Sequence, residues 1–330
     1  MKNKKILITG AAGFIGSHLS ERLVELAGQV RVFVHYNSRN QQGYLEQLPR
    51  KKREVLEIFY GDIRDYQTVY SAMQGIDIVF HLAALIGIPY SYQAPESYVE
   101  TNIKGTLHVL QAACSLGTER LLVTSTSEVY GTAQYTPMDE NHPFQGQSPY
   151  SATKIGADRL AESFFRSFNL PVTIVRPFNT YGPRQSVRAV IPAIITQTLA
   201  GRKTIHLGAL SPTRDFVYVK DTVEGLVRIA LCDQAIGEEI NIATQKETSI
   251  KSLVEEISLL TGCKIKPETD PKRLRPTRSE VDRLLGSNEK IKRLTGWQPR
   301  FSLHQGLIET LRWYDCKDRR EQFKSGAYVR

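Results

Sequence analysis

The chain has 330 residues, 41% of them hydrophobic and 23% charged, the balance of a globular protein large enough for one big domain or two joined ones. Basic residues outnumber acidic ones 43 to 34, but the excess gathers in short clusters such as Arg50–Arg53 and Arg319 with Arg320, which are solvated charge rather than a nucleic-acid groove. Cys114, Cys232, Cys263 and Cys316 lack metal-ligand spacing, and no apolar run is long enough to span a bilayer, so the expectation is a cytoplasmic protein with no metal, no nucleic acid and no membrane partner.

Six β-rich runs lie along the first half, over 5–9, 30–34, 55–60, 76–80, 121–124 and 172–176, and helical patterns such as 15–26 and 148–168 separate them. This alternation predicts an α/β fold, a doubly wound parallel sheet of Rossmann type with helices on both faces. Past Pro177, the prolines 183, 192 and 212 break the rhythm, and helical patterns at 250–261 and 303–314 predict a smaller mixed α/β substrate lobe. The expected division is a dinucleotide-binding domain over 1–176 and the lobe over 177–330, with a segment near 214–245 returning to the first domain. The polar tail, 317–330, is expected to be loosely ordered.

Gly10-Ala-Ala-Gly13-Phe14-Ile15-Gly16 follows the first predicted strand and opens the first predicted helix. A tight turn there needs glycine, a diphosphate reaches the backbone only where no Cβ intervenes, and a helix N-terminus offers N–H groups to an anion. The Gly-x-x-Gly-x-x-Gly spacing resembles that of the extended short-chain dehydrogenase/reductases. The resemblance implies NAD(P), tightly bound and regenerated in each turnover, with Asp62 and Ile63 at the adenine and Leu82, Ala83 and Ala84 beside the phosphates and ribose. It also brings Pro177 against the cofactor. The second strand ends His35-Tyr-Asn37-Ser38-Arg39, with no acid for the ribose hydroxyls and three groups suited to a 2′-phosphate, so the reading leans to NADP.

Tyr150 and Lys154 are four apart and share a helix face, where an ammonium lowers the pKa of a neighbouring phenol. Upstream, Thr124-Ser-Thr126-Ser127-Glu128-Val-Tyr-Gly131 adds a hydroxyl and a second base. In the family that these motifs resemble, Tyr150 takes the proton of a sugar 4-hydroxyl, Thr126 orients that hydroxyl, and Lys154 holds the nicotinamide ribose. Sugar-nucleotide 4-epimerases usually carry small residues in place of Ser127 and Glu128, whereas Thr-Ser-Glu resembles the 4,6-dehydratases. That resemblance implies that C4 oxidation acidifies the C5 proton, Glu128 removes it, water leaves from C6 and the hydride returns to C6. With serine at 127 where other dehydratases carry aspartate, Glu128 gives its proton back to the leaving hydroxyl through Ser127 as a relay. UDP-glucuronate decarboxylases also read Thr-Ser-Glu-Val-Tyr-Gly, but typically continue Arg-Ser-x-Tyr-Asp-Glu-x-Lys. Here the run is Gln147-Ser-Pro-Tyr150-Ser-Ala-Thr-Lys154, without that arginine, which ranks dehydration above decarboxylation. A 4-epimerase and a non-catalytic nucleotide-binding sensor are the other readings.

On the substrate side, Arg176-Pro-Phe-Asn179-Thr-Tyr-Gly-Pro-Arg184 resembles the extended branch where cofactor and sugar meet, which implies Asn179 at a phosphate or sugar, and Val190-Ile-Pro192 resembles the family's nucleobase-contacting stretch. Arg184, Arg188 and Arg214 suit a diphosphate, because arginine forks match phosphate oxygens. Arg275-Pro-Thr-Arg-Ser-Glu280-Val-Asp resembles the Arg-Pro-x-Glu-Val-Asp run of GDP-mannose dehydratases, lengthened by two residues, so Arg275 and Glu280 are expected to straddle phosphate and ribose. The runs 82–92, 124–132, 146–150 and 177–185 together most resemble the 4,6-dehydratases of legionaminic acid biosynthesis. The implied substrate is a nucleotide-activated N-acetylglucosamine, with GDP or UDP left open. A homodimer through helices near 97–116 and 148–168 is the implied assembly.

Overall fold

In a computed structural model, residues 1–316 are described; Arg319, Arg320 and the rest of the 317–330 tail lie outside the described residues. Twelve strands are formed: β1 Lys5–Thr9, β2 Gln29–His35, β3 Leu56–Gly61, β4 Ile78–His81, β5 Arg120–Thr124, β6 Val172–Pro177, β7 Asn179–Tyr181, β8 Thr204–Leu207, β9 Thr213–Tyr218, β10 Glu239–Ile242, β11 Glu247–Ser249 and β12 Lys266–Thr269. Seven of them make one parallel sheet in the order β3-β2-β1-β4-β5-β6-β10. Ile6 and Ile8 pack on one face of the sheet and Leu7 on the other, all nearly inaccessible, so β1 is apolar throughout rather than alternating. This is the predicted doubly wound α/β architecture.

The sheet has seven strands where the sequence pattern predicted six. The seventh, β10, pairs with β6 from beyond the Pro177 break, with Ile240 opposite Val175. The expected return of 214–245 therefore reaches the main sheet through 239–242, while β9 stays outside it, between β11 and β7 in a three-stranded sheet. β8 and β12 form a further pair. Asp215, on β9, is buried and gathers the backbone N–H groups of Thr244, Gln245 and Gly286 around its carboxylate. Burial nevertheless raises its pKa to about 6.

The order of strand addition reverses at β1, whose parallel neighbours are β2 on one side and β4 on the other. Ligand crevices open at such a switch point, beyond the carboxyl ends of the strands. Thr9 and His81 end β1 and β4 opposite each other. Their side chains meet at 2.8 Å through the His81 Nδ1, and the His81 Nε2 reaches Thr106 at 3.0 Å on the helix Gly105–Leu116. Burial keeps this imidazole neutral, lowering its pKa from 6.5 to about 3. The unfolded chain takes up a proton near pH 6.5 that the folded ring refuses, so its contribution to stability is full above pH 6.5 and is lost as pH falls toward 3. His18, lowered to about 4 chiefly by burial, acts in the same sense. The thermal midpoint should fall as pH drops through this window, and less steeply in His81→Gln than in the wild type; parallel curves would remove His81 as a cause.

Candidate active site

The glycine turn lies beyond β1. Gly10 has φ +70, and a Cβ there would stand 2.7 Å from the Ala83 nitrogen; one on Gly16 would stand 2.2 Å from the Gly10 carbonyl oxygen. The helix Phe14–Leu26 then begins at Gly13 with no side-chain cap and no acidic residue in its first turn. A diphosphate fits this cradle: backbone is bare where it would approach, and the helix dipole favours its charge. Thr9 holds the opposite wall, its hydroxyl accepting from the N–H groups of Leu82 and Ala83 at 3.1 Å each. Ala84 follows, and Pro177 closes β6 in the buried interior.

Other residues expected at the cofactor have local partners. The Asn37 side chain closes its own turn, donating to Gln41 O and accepting from the Arg39 and Gln41 N–H groups. Ser38 and Arg39 are exposed beside it. Asp62 is paired with Arg64 at 2.6 Å, which holds its carboxyl down at about 2. Ile63 is buried against Gly105.

Ser148 caps the helix Pro149–Phe168 through a reciprocal box with Ser151, and proline occupies the first helical position. This start presents Tyr150 and Lys154 to the interior, 7% and 3% exposed. The sequence spacing predicts a Tyr150 pKa lowered by Lys154, yet the net direction is upward. Burial dominates, and neighbouring Glu128, Tyr98 and Asp158 add to it, while hydrogen bonding with Thr126 opposes it. The Lys154 ammonium donates to the Thr124 carbonyl at 2.7 Å. Its own pKa is lowered by burial, against the pull of Asp158.

Beyond β5, Thr126 caps the 3-10 turn Ser127–Tyr130, its hydroxyl accepting from Glu128 N at 3.2 Å. Ser127 and Glu128 are buried in that turn, the latter 8% exposed. The Glu128 carboxylate lies 3.5 Å from Arg275 Nη1, which is 3.8 Å from Glu280; Arg214 Nη2 is 3.4 Å from the same Glu280. Four predicted residues thus meet at one wall. Arg184 does not join them: it pairs with Glu21 on the helix Phe14–Leu26 at 3.0 Å. Arg188 is exposed near Gly87, Val190 starts the helix Val190–Leu199, and Asn179 has a buried Oδ1 with no protein partner.

Asn102 was not legible as a site residue. It accepts from Leu85 N at 2.8 Å and donates to Leu85 O and to Thr153 on the helix Pro149–Phe168. It lies in a π-helical turn, Val99–Lys104, that interrupts the helix expected over 97–116. Asp158 was also missed. A polar residue one turn beyond Lys154 carries no sequence signal until its partners Ser125 and Arg176 are known.

A family model described as GDP-mannose 4,6 dehydratase matches residues 7–310. The chain belongs to this family. It is 33% identical over 321 residues to a UDP-N-acetyl-alpha-D-glucosaminuronate decarboxylase of Bacillus cytotoxicus, over 94% of this chain and 98% of that protein. Among solved structures it is similar to DesIV, a dTDP-glucose 4,6-dehydratase from Streptomyces venezuelae with NAD bound, with TM-score 0.84 and 29% identity over 97% of this chain and 99% of that one. It is also similar to a UDP-glucuronic acid 4-epimerase variant from Bacillus cereus in complex with UDP-4-deoxy-4-fluoro-glucuronic acid and NAD, with TM-score 0.85 and 29% identity over 96% and 99%. Relatives of the family member described here thus include a decarboxylase, a dehydratase and an epimerase.

Proposed function

We propose that the protein is an NAD(P)-dependent nucleotide-sugar 4,6-dehydratase acting on GDP- or UDP-activated N-acetylglucosamine, as in legionaminic acid biosynthesis. The observation that carries this reading is the burial of Tyr150 and Glu128 around Thr126, whose hydroxyl accepts from the Glu128 N–H at 3.2 Å and whose influence lowers the Tyr150 pKa, so that a base for a hydroxyl and a base for a carbon acid converge. Bound NAD(P) supplies the site that takes hydride from C4 and returns it to C6. Tyr150 receives the 4-hydroxyl proton while Thr126 orients that oxygen, and Lys154 holds the nicotinamide ribose. The C4 ketone acidifies C5–H, whose proton Glu128 accepts. Glu128 then passes that proton through Ser127 to the 6-hydroxyl, which departs as water, and when hydride reaches C6 a proton returns to C5, balanced by release of the one Tyr150 took from the 4-hydroxyl. Gly10, Gly13, Phe14, Ile15 and Gly16 hold the cofactor diphosphate, and Asn179, Arg214, Arg275 and Glu280 hold the substrate nucleotide.

Decarboxylation of a uronate is the second reading. Its support is the guanidinium of Arg275 beside Glu128, which suits a sugar carboxylate and lies outside the 147–154 run where the decarboxylases carry their arginine. Donors deuterated at C4 separate the readings: label moving to C6 with loss of water is dehydration, label returning to C4 with inversion is epimerisation, and carbon dioxide release is decarboxylation. No turnover of any donor favours a sensor. Glu128→Gln should still reduce the cofactor at C4 but stall before elimination, with turnover down at least about a hundredfold, whereas Tyr150→Phe should block both steps. Dehydration by Glu128→Gln at the wild-type rate would sink this mechanism.

The cofactor reading leans to NADP, supported by exposed Arg39 and the absence of an acid at the end of β2. Arg39→Ala should weaken NADP about tenfold and leave NAD unchanged in a fluorescence titration; wild-type preference for NAD would refute it. The proposed assembly is a homodimer through the helices Gly105–Leu116 and Pro149–Phe168, between which Cys114, Phe164 and 63%-exposed Phe168 line an open cavity of about 520 Å³. Sedimentation at monomer mass would rule that out. Among the described residues no helix is long and apolar enough to cross a membrane, and no cluster of His, Cys, Asp and Glu could hold a metal.

A further inference from the structure

Gln147 is the residue before the Ser148 cap, and its amide is used at both ends. Its Oε1 accepts from Thr132 N at 2.6 Å, immediately after the turn that carries Glu128. Its Nε2 donates to Glu280 O at 2.9 Å and to Arg278 O at 3.3 Å, in the loop that carries Arg275. The Gln147 backbone carbonyl accepts from the Ser279 hydroxyl, and that oxygen meets the Tyr92 hydroxyl at 2.6 Å. Gly131 records how closely the amide is seated: its φ is +65, and a Cβ there would stand 2.5 Å from Gln147 Oε1.

We propose that Gln147 is a positioning residue that sets the Glu128 turn and the Arg275–Glu280 loop in register with the start of the catalytic helix. The two ends of the amide have separable duties. The acceptor end fixes Thr132 and with it the turn on which Glu128 reaches the sugar. The donor end fixes 278–280 and with it the arginine and glutamate assigned to the substrate nucleotide. Glutamate at 147 keeps the acceptor and loses the donor, and its charge faces two carbonyl oxygens; alanine loses both. An amide is the side chain of this length that supplies a donor and an acceptor together.

The kinetic arm rests on the dehydratase reading, and the exchange arm does not. Holoenzyme is assayed with GDP- and UDP-N-acetylglucosamine for the wild type, Gln147→Glu and Gln147→Ala. Gln147→Glu should raise KM about tenfold with kcat within about twofold, as expected when binding contacts alone are loosened. Gln147→Ala should raise KM alike, lower kcat about tenfold and accumulate reduced cofactor during turnover, because C4 oxidation by Tyr150 proceeds while the Glu128 step lags. Hydrogen exchange, read without any turnover, should quicken at 276–282 in both variants and at 127–134 in Gln147→Ala alone. Unchanged exchange in both segments, or the same kcat loss in both variants with KM unmoved, overturns the proposal. If neither donor is turned over by the wild type, the dehydratase reading fails while the exchange pattern still decides the role of Gln147. Should Gln147→Ala fail to fold by circular dichroism, Gln147→Glu carries the test: quicker exchange at 276–282 with 127–134 unmoved supports it, and any other pattern overturns it.

Discussion

The site is assembled around one buried charge, the guanidinium of Arg176 at the end of β6. It is wholly inaccessible, as is Asp158, which accepts from its Nε and Nη2 at 3.1 and 3.0 Å. Glu239 of β10 takes Nη1 at 2.8 Å, the Tyr130 hydroxyl accepts from the same nitrogen at 3.0 Å, and the Phe144 ring lies 4.7 Å from the guanidinium carbon. Removing an ion from water costs several kcal/mol, and the interior recovers that only when the donors are met. Here the partners come from the helix Pro149–Phe168, the edge strand β10 and the turn bearing Glu128. None of these segments can shift without leaving charge uncompensated, so the helix holding Tyr150 and Lys154 keeps its place against Thr126 and Glu128.

The same dry environment governs the proton chemistry. Burial drives both members of the reacting pair toward neutrality, the phenol upward and the ammonium downward. Thr126 opposes it at the phenol and Asp158 opposes it at the ammonium. The proton affinity of Tyr150 is therefore set by what surrounds it and not by its spacing from Lys154. On the far wall, Glu128, Arg275, Glu280 and Arg214 alternate in sign, so each guanidinium there already faces a carboxylate.

Much of the fold was legible because its signals are local. The helices 250–261 and 303–314 were read with the bounds observed, since Ser249 and Ser302 cap amphipathic runs. β10 was harder. Glu239-Ile-Asn-Ile is four residues with two polar side chains, and those are spent on Arg176 and Tyr130, partners known only after folding. The π-turn around Asn102 was hidden for the same reason, because its amide serves Leu85 and Thr153 rather than its own helix. Arg184 shows what charge alone leaves out: expected at a diphosphate, it pairs through Nη2 with Glu21, while its buried Nε and Nη1 have no hydrogen-bond partner among the described residues.

By itself the sequence determined the doubly wound sheet, the glycine turn that accommodates a diphosphate, and the chemical types in the Thr126, Glu128, Tyr150 and Lys154 constellation. These follow from periodicity, from the space left by a missing Cβ and from side-chain chemistry, all readable within a few residues. Only the tertiary structure decided the proton affinities of Tyr150 and Lys154, the company of Arg275 beside Glu128, and the reach of Gln147 from the catalytic helix to the 278–280 loop. Burial, electrostatic neighbours and hydrogen-bond partners come from segments far apart along the chain, 147 residues in the case of Glu128 and Arg275, and no local pattern encodes that proximity.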